Sequence, residues 1–506
     1  MNEHLLSMNI FIPLLGIIAI TSASKKREDI VKIIAAITTG LQMWIALQIF
    51  FNFDRTKSGI QFVEHYSWIK TFSIDYFLGI DGLSFPLVLL TALILFISVF
   101  SSWKLKKGVK GYFILFLLLD MGLMGVFTSI DLFLFLIFFG LTLFPTYLLI
   151  GIWGNSQSEN TAIKYALFSV FSYVLILLGI LVLYFKSDPN TFNILELIPN
   201  VNSSHSFQIT TFLILFIGFA ALIPIFPFHT WLISVLTKAP TAVSIIVVSI
   251  LIKIGTYGLI RICFPILPSA SIGFALPLSI IAIINIIYGA LCALGQNDLK
   301  KIVGYFSISQ MGFILLGFAS LIGGVSEKTD AAITGISGSL FHMFNHGTVA
   351  ALLLLLTGVI YNRTSKKDIS KVGGLSSKMP VFSGITALAL FAGFGLPGLS
   401  TFISEIFCII GSFQIPGIQV LSIISITGII LNAAYFFRCF QLILYSKENP
   451  KYTELQDIKG NELFMVIPFV LIIVLLGIYP NLIFNIMTQS VEKLVEIVTV
   501  GVSIIN

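Results

Sequence analysis

The chain has 506 residues and a formal net charge of +6; 57% of its residues are hydrophobic and only 10% are charged. A soluble domain carries roughly 25% charged residues, and a mean hydropathy of +1.02 leaves no polar surface for a water-soluble globule, a disordered chain, a coiled coil or a disulfide scaffold. The composition is that of an all-α polytopic membrane protein, with its basic residues in short loops rather than in a nucleic-acid-binding patch.

A membrane span needs about 20 mostly apolar residues. In chain order such runs fall at about 5–22, 31–52, 83–103, 111–129, 131–153, 163–186, 208–233, 239–262, 271–295, 301–323, 331–360, 380–413, 418–445 and 462–483, which makes about 14 transmembrane helices. The first run has no basic stretch before it and reads as a span rather than a removable signal peptide. The tail after Lys493 alternates apolar and polar residues and reads as a short interfacial helix. The chain divides into an N-terminal part of three helices and loops (1–110), a core (111–445) and a C-terminal helix and tail (446–506). When the loops are assigned to alternate sides, one side collects about 21 of the 29 basic residues and the other about 7. That bias places both termini on the non-cytoplasmic side.

Two spans are interrupted. The seventh contains Pro224 and Pro227, and the twelfth contains Gly393, Gly395, Pro397 and Gly398. Proline removes a backbone donor and glycine loosens a helix, so both helices are expected to break within the membrane. Two broken helices five spans apart suggest two inverted five-helix repeats, spans 4–8 and 9–13, as in an inverted-repeat transporter. Gly and Pro are also common in ordinary membrane helices.

Ionisable residues inside spans are functional candidates because burying them is costly. Lys253 lies well inside the eighth segment, Glu405 just past the break in the twelfth, and His342 and His346 one turn apart in the eleventh. Asp120 lies in the fourth, His229 follows the break in the seventh, and Lys300 opens the tenth. Groups whose charged form is disfavoured by burial can exchange protons near neutrality, as a proton relay requires. Each also has a plain structural reading, as a hydrogen-bonded core residue. The four cysteines (Cys263, Cys292, Cys408, Cys439) are far apart, with no CxxC pair. The string Gly393-Phe394-Gly395-Leu396-Pro397-Gly398 spells a dinucleotide fingerprint but follows no strand. No metal site is supported, and no covalent catalysis is indicated.

Several strings together resemble the antiporter-like subunit M family of respiratory complex I (NADH:quinone oxidoreductase). They are Phe226-Pro227-Phe228-His229-Thr230-Trp231, Ala239-Pro240-Thr241-Ala242, Lys253-Ile254-Gly255-Thr256-Tyr257-Gly258, Ser309-Gln310-Met311-Gly312 and Gly395-Leu396-Pro397-Gly398 with Ser404-Glu405. The resemblance runs in order over about residues 70–480. It implies 14 helices in two inverted repeats and a proton route along a central line of charges. Lys253 then matches the central lysine, His346 the histidine of the His-Gly motif, and Glu405 the acidic residue of the broken twelfth helix, from which protons leave. Asp120, His229, His342 and Lys300 are accessory candidates. The resemblance also implies that NADH, FMN, iron–sulfur clusters and quinone belong to partner subunits, with neighbouring antiporter-like subunits packed alongside in the lipid bilayer.

The chain departs from the family at specific places. The glutamate expected five residues before Pro145 is Gly140, and the lysine expected two residues before Pro224 is Leu222. The pair's joint loss makes physical sense, because removing one partner strands a buried charge at about 3–5 kcal/mol whereas replacing both is often nearly neutral. Ile233-Ser234-Val235-Leu236 stands where the family has Pro-Asp-Ala-His, and Lys238 where it has a glutamate. The expectation is a membrane-arm subunit whose pumping is weakened, lost or differently gated. The alternatives are a subunit of a multi-subunit cation/proton antiporter and a non-pumping structural subunit.

Overall fold

The computed structural model describes residues 4–24, 27–200, 204–324, 328–447 and 455–503. Lys25, Lys26 and Lys451 of the basic-residue tally lie outside the described residues. Among the described residues, twelve helices are long and apolar enough to cross a membrane, and three further apolar helices are shorter. The protein is an integral membrane protein.

The chain starts with α1 (Leu5–Ser22) and α2 (Glu28–Asn52). An antiparallel hairpin follows, β1 (Gln61–Ile69) and β2 (Ile74–Ile80), turning through Ser73 at φ +50°. The apolar runs of the sequence leave this stretch as a loop. The hairpin caps α1, because Glu64 accepts from the amides of Leu6 (2.9 Å) and Ser7 (3.2 Å), donors that a helix start leaves unpaired.

Next come α3 (Phe85–Ser101), α4 (Val109–Thr128), α5 (Leu132–Trp153) and α6 (Ser158–Lys186). Asp131 is the N-cap of α5 and accepts from the amides of Phe133 and Leu134. Along α6, Leu167, Val170, Phe171, Val174 and Leu178 are exposed at helical spacing, an apolar stripe of the kind that faces lipid.

After the short α7 (Ile194–Asn200), α8 (His205–Leu222) ends and helix resumes as α9 (Thr230–Lys238). Pro224 and Pro227 deny the intervening turn two donors. The turn is tied down by side chains instead: Trp231 Nε1 donates to the Ala221 carbonyl at 2.9 Å, and Asn285 Oδ1 accepts from the Phe226 amide at 2.9 Å.

The second half contains α10 (Thr241–Ile266), α11 (Pro268–Ile272), α12 (Ala275–Leu294), α13 (Leu299–Gly324) and the 36-residue α14 (Thr329–Thr364). The most apolar windows of α10, α13 and α14 are almost wholly buried, so these three helices form the centre of the bundle. Then follow α15 (Leu375–Lys378), α16 (Pro380–Gly393), α17 (Ser400–Phe413), α18 (Gln419–Tyr445), α19 (Asn461–Ile478) and α20 (Asn481–Ser503). Between α16 and α17 the chain turns through Gly395 (φ +75°) and Gly398 (φ +92°), a backbone that side-chain-bearing residues rarely adopt. The terminal helix begins at Asn481, well before Lys493, and is longer than the short interfacial helix expected from the sequence. Its Ile486, Met487, Val491, Leu494 and Val498 are buried, and Ser490 Oγ accepts from the Gly82 amide at 2.8 Å, so it packs on the bundle through one apolar face.

Candidate functional site: a buried polar file

Lys253 projects from the middle of α10 between two π-helical turns, Val247–Leu251 and Leu259–Cys263. A π turn widens the helix and misaligns its carbonyls. One of these, the Val248 carbonyl, accepts from Lys253 Nζ at 2.8 Å. The second partner of Lys253 is His346 Nδ1, at 2.6 Å. Both side chains are fully buried. Two like charges at that distance repel by about 6 kcal/mol even at an effective dielectric near 20, so the two groups are not both protonated.

Glycine makes this contact possible. A Cβ on Gly347 would fall 2.6 Å from Leu90 Cδ2 and 3.0 Å from the Ser249 carbonyl oxygen. With glycine there, α14 lies against α3 and α10, and Ser249 Oγ donates to the Gly347 carbonyl at 2.9 Å.

One turn before His346, His342 Nδ1 meets Ser404 Oγ at 2.8 Å on α17. Asn345 Nδ2 donates to the Ser400 carbonyl at 2.9 Å, holding the start of α17 after the break. Beside Ser404, Glu405 Oε1 accepts from Gln310 Nε2 of α13 at 2.9 Å. Its other oxygen points at the break, where a Cβ on Gly395 would come within 2.5 Å of it. Lys253, His346, His342, Ser404 and Glu405 therefore lie in sequence across α10, α14 and α17. His346 Nε2, His342 Nε2, Gln310 Oε1 and Glu405 Oε2 are buried without a hydrogen-bond partner among the described residues. Buried polar atoms of this kind are where internal water binds.

The remaining candidates lie apart from this file. His229 contacts the Tyr288 hydroxyl at 3.0 Å, beside the turn after α8. Lys300, at the start of α13, reaches the Ala239 carbonyl at 3.5 Å. Asp120 accepts from Gln42 Nε2 at 2.8 Å, so its partner is on α2 and not on α10. The same Gln42 nitrogen donates to the Asn9 carbonyl at 2.9 Å. Pro13, four residues on, has no amide to offer that carbonyl. Gly140 faces the ring of Tyr173 on α6 (3.3 Å from its Cβ position), and Leu222 is buried. Neither position carries a charge.

Gln310 and Ser404 belong to the file, although neither is a site candidate from the sequence. Their signal was present in the motif strings, as neutral polar residues inside apolar helices. Among the described residues no three His, Cys, Asp or Glu side chains group as a metal site.

Comparison with known proteins gives the relatives of the chain. The family model described as "NADH:quinone oxidoreductase/Mrp antiporter, TM" matches residues 129–431. The chain is 34% identical to NADH-quinone oxidoreductase subunit M of Rickettsia conorii, over 97% of this chain and 98% of that protein. It is 33% identical to NADH-ubiquinone oxidoreductase chain 4 of Arabidopsis thaliana, over 97% of each. A chain of respiratory complex I from Thermus thermophilus superposes with a TM-score of 0.87 at 23% identity, covering 97% of this chain and 99% of that one. A chain of an archaeal membrane-bound sulfane sulfur reductase superposes with a TM-score of 0.82 at 19% identity, covering 94% and 76%.

Proposed function

The chain belongs to the family of antiporter-like membrane subunits of NADH:quinone oxidoreductase, and from that membership we propose that it serves as the M subunit of a proton-translocating membrane arm. Its 14 transmembrane helices, counting α8–α9 and α16–α17 as one broken span each, form two inverted repeats, with both termini on the non-cytoplasmic side. Protons pass along the file. Lys253 and His346 share one proton, His342 and Ser404 pass it across to α17 through bridging water, and Glu405 releases it beside the break. The redox cofactors and quinone belong to partner subunits, and this chain performs no covalent chemistry.

The observation that carries the reading is the 2.6 Å contact between Lys253 Nζ and His346 Nδ1, buried from solvent, with the His342–Ser404 and Gln310–Glu405 contacts beyond it. The test is Lys253→Ala in the assembled complex, with protons translocated per NADH oxidised measured in inverted membrane vesicles. The ratio should fall while the complex still assembles. An unchanged ratio would sink the relay.

Gly140 and Leu222 favour a second reading, in which this subunit supports the arm without pumping. In that case Lys253→Ala and Glu405→Gln both leave the ratio unchanged. A third reading, a subunit of a multi-subunit cation/proton antiporter, is separated by gentle solubilisation and pull-down. Recovery with iron–sulfur subunits in an NADH-oxidising band supports the complex I role; recovery with small membrane subunits alone supports the antiporter.

A further inference from the structure

Away from the relay file, a cavity of about 150 Å³ lies between the starts of α10 and α13 and the end of α14. Lys300 lines its depth, and Lys366, Lys367, Asn155 and Asn362 line its exposed mouth. Lys300 is only 8% exposed. An ammonium has three donors, and among the described residues Lys300 Nζ meets only the Ala239 carbonyl, at the long distance of 3.5 Å. Lys367 Nζ is held by the neighbouring Thr237 carbonyl at 3.3 Å and lies over the ring of Tyr361. Among the described residues one carboxylate lines the cavity, that of Asp298, and its Oδ1 accepts from the Lys300 amide at 2.9 Å. Asp368, in the adjoining turn, is engaged by Ser370 and Lys371. Three lysines against one aspartate leave the cavity positive. A nearly buried ammonium with unused donors is a costly arrangement unless an anion completes it.

We propose that this cavity is an oxyanion site that takes a phosphate group, supplied by an anionic phospholipid or by inorganic phosphate. Lysine binds phosphate as a point charge, the two asparagine amides add neutral donors, and basic pockets between membrane helices suit lipid headgroups. Lys300 then holds an anion and carries no proton along the relay. The proposal is independent of the relay.

The test uses the native assembly in membranes. Phosphatidylglycerol carrying a photoactivatable diazirine in its acyl chain is compared with phosphatidylcholine carrying the same label. In a second arm, the thermal unfolding midpoint of the solubilised assembly is followed as inorganic phosphate is added, with sulfate-free chloride buffer as control. A lipid source gives cross-links to peptides spanning residues 299–303 or 357–372 from the anionic label alone, reduced at least fivefold in Lys300→Gln/Lys367→Gln. A free-phosphate source gives no such cross-link but a phosphate-dependent rise in the midpoint that the double variant loses. If the wild type shows neither response, or the double variant retains in full whichever response the wild type shows, the proposal is wrong. Should the double variant fail to assemble, Lys367→Gln at the exposed mouth is read in the same way, with at least a twofold loss expected.

Discussion

Ser249 on α10 donates its hydroxyl to the carbonyl of Gly347 on α14 at 2.9 Å, one residue from the histidine that meets Lys253. The two helices are set at this separation by the missing side chain of Gly347. Gly347→Ala must push against Leu90 and the Ser249 backbone, an overpacking that costs about 1–3 kcal/mol. The expected outcome is an assembled complex with fewer protons translocated per NADH oxidised, measured by fluorescence quenching in inverted vesicles. A normal ratio would mean that the Lys253–His346 contact survives the widening or is not needed.

Gly395 and Gly398 form an internal comparison. Both have positive φ, so alanine at either carries a left-handed backbone penalty of about 1–2 kcal/mol. At Gly398 nothing lies within 4 Å of the added methyl, whereas at Gly395 it strikes the carboxylate of Glu405. Gly395→Ala should therefore reduce proton translocation by several-fold more than Gly398→Ala, at a similar loss of thermal stability. Equal effects on translocation would show that the backbone alone matters there.

Introducing the two charges that the family resemblance implies is expected to be harmful one at a time. Leu222 is buried and Gly140 faces the Tyr173 ring, so Gly140→Glu or Leu222→Lys alone strands a charge at about 3–5 kcal/mol. If the two positions can still form the family's pair, the double substitution costs at least 1 kcal/mol less than the sum of the singles. Thermal unfolding of the solubilised complex measures all three. Strict additivity would show that the two sites no longer communicate.

Asp131 caps α5 and also accepts from the Asp75 amide at 3.1 Å, joining the hairpin to the helix. Asp131→Ala should destabilise by about 1 kcal/mol, and Asp131→Asn by less. Burial pushes this carboxyl up to about 6. The folded state therefore holds the proton more tightly than the unfolded chain, whose value is near 4. Its contribution is fully present below pH 4 and is lost as pH rises through 6. Asp131→Asn should remove that slope from a stability–pH profile; a slope that persists would assign it to another group.

The spans were legible because the solvent is hydrocarbon: each run of apolar residues has only one way to satisfy its backbone, as a helix. Thus the helices at Leu5–Ser22 and Leu132–Trp153 fall where their apolar runs place them. The hairpin at Gln61–Ile80 lies outside that constraint; its polar and aromatic residues carry no comparable signal. Within the site, Lys253 and Glu405 were conspicuous because a charge in an apolar run is costly. Gln310 and Ser404 carry no charge, and their partners lie 95 and 62 residues away, so only the folded chain reveals them. Asp120 was conspicuous for the same reason as Lys253, but no spacing rule indicates which neighbouring helix its carboxylate will face. The π turns beside Lys253 compound this difficulty, since each rotates the following residues away from a regular helical wheel.

Among the described residues, the Nε2 atoms of His346 and His342 and the outer oxygen of Glu405 have no partner, which makes the file discontinuous, with steps that none of these side chains spans. On the proposed proton route, conduction is governed by how often those steps are hydrated. Such a path responds to water activity as a switch responds to its throw. Osmotic stress from a solute too large to enter the bundle should slow proton movement while leaving NADH oxidation by the proposed assembly untouched, so the two fluxes would come apart as the medium is concentrated.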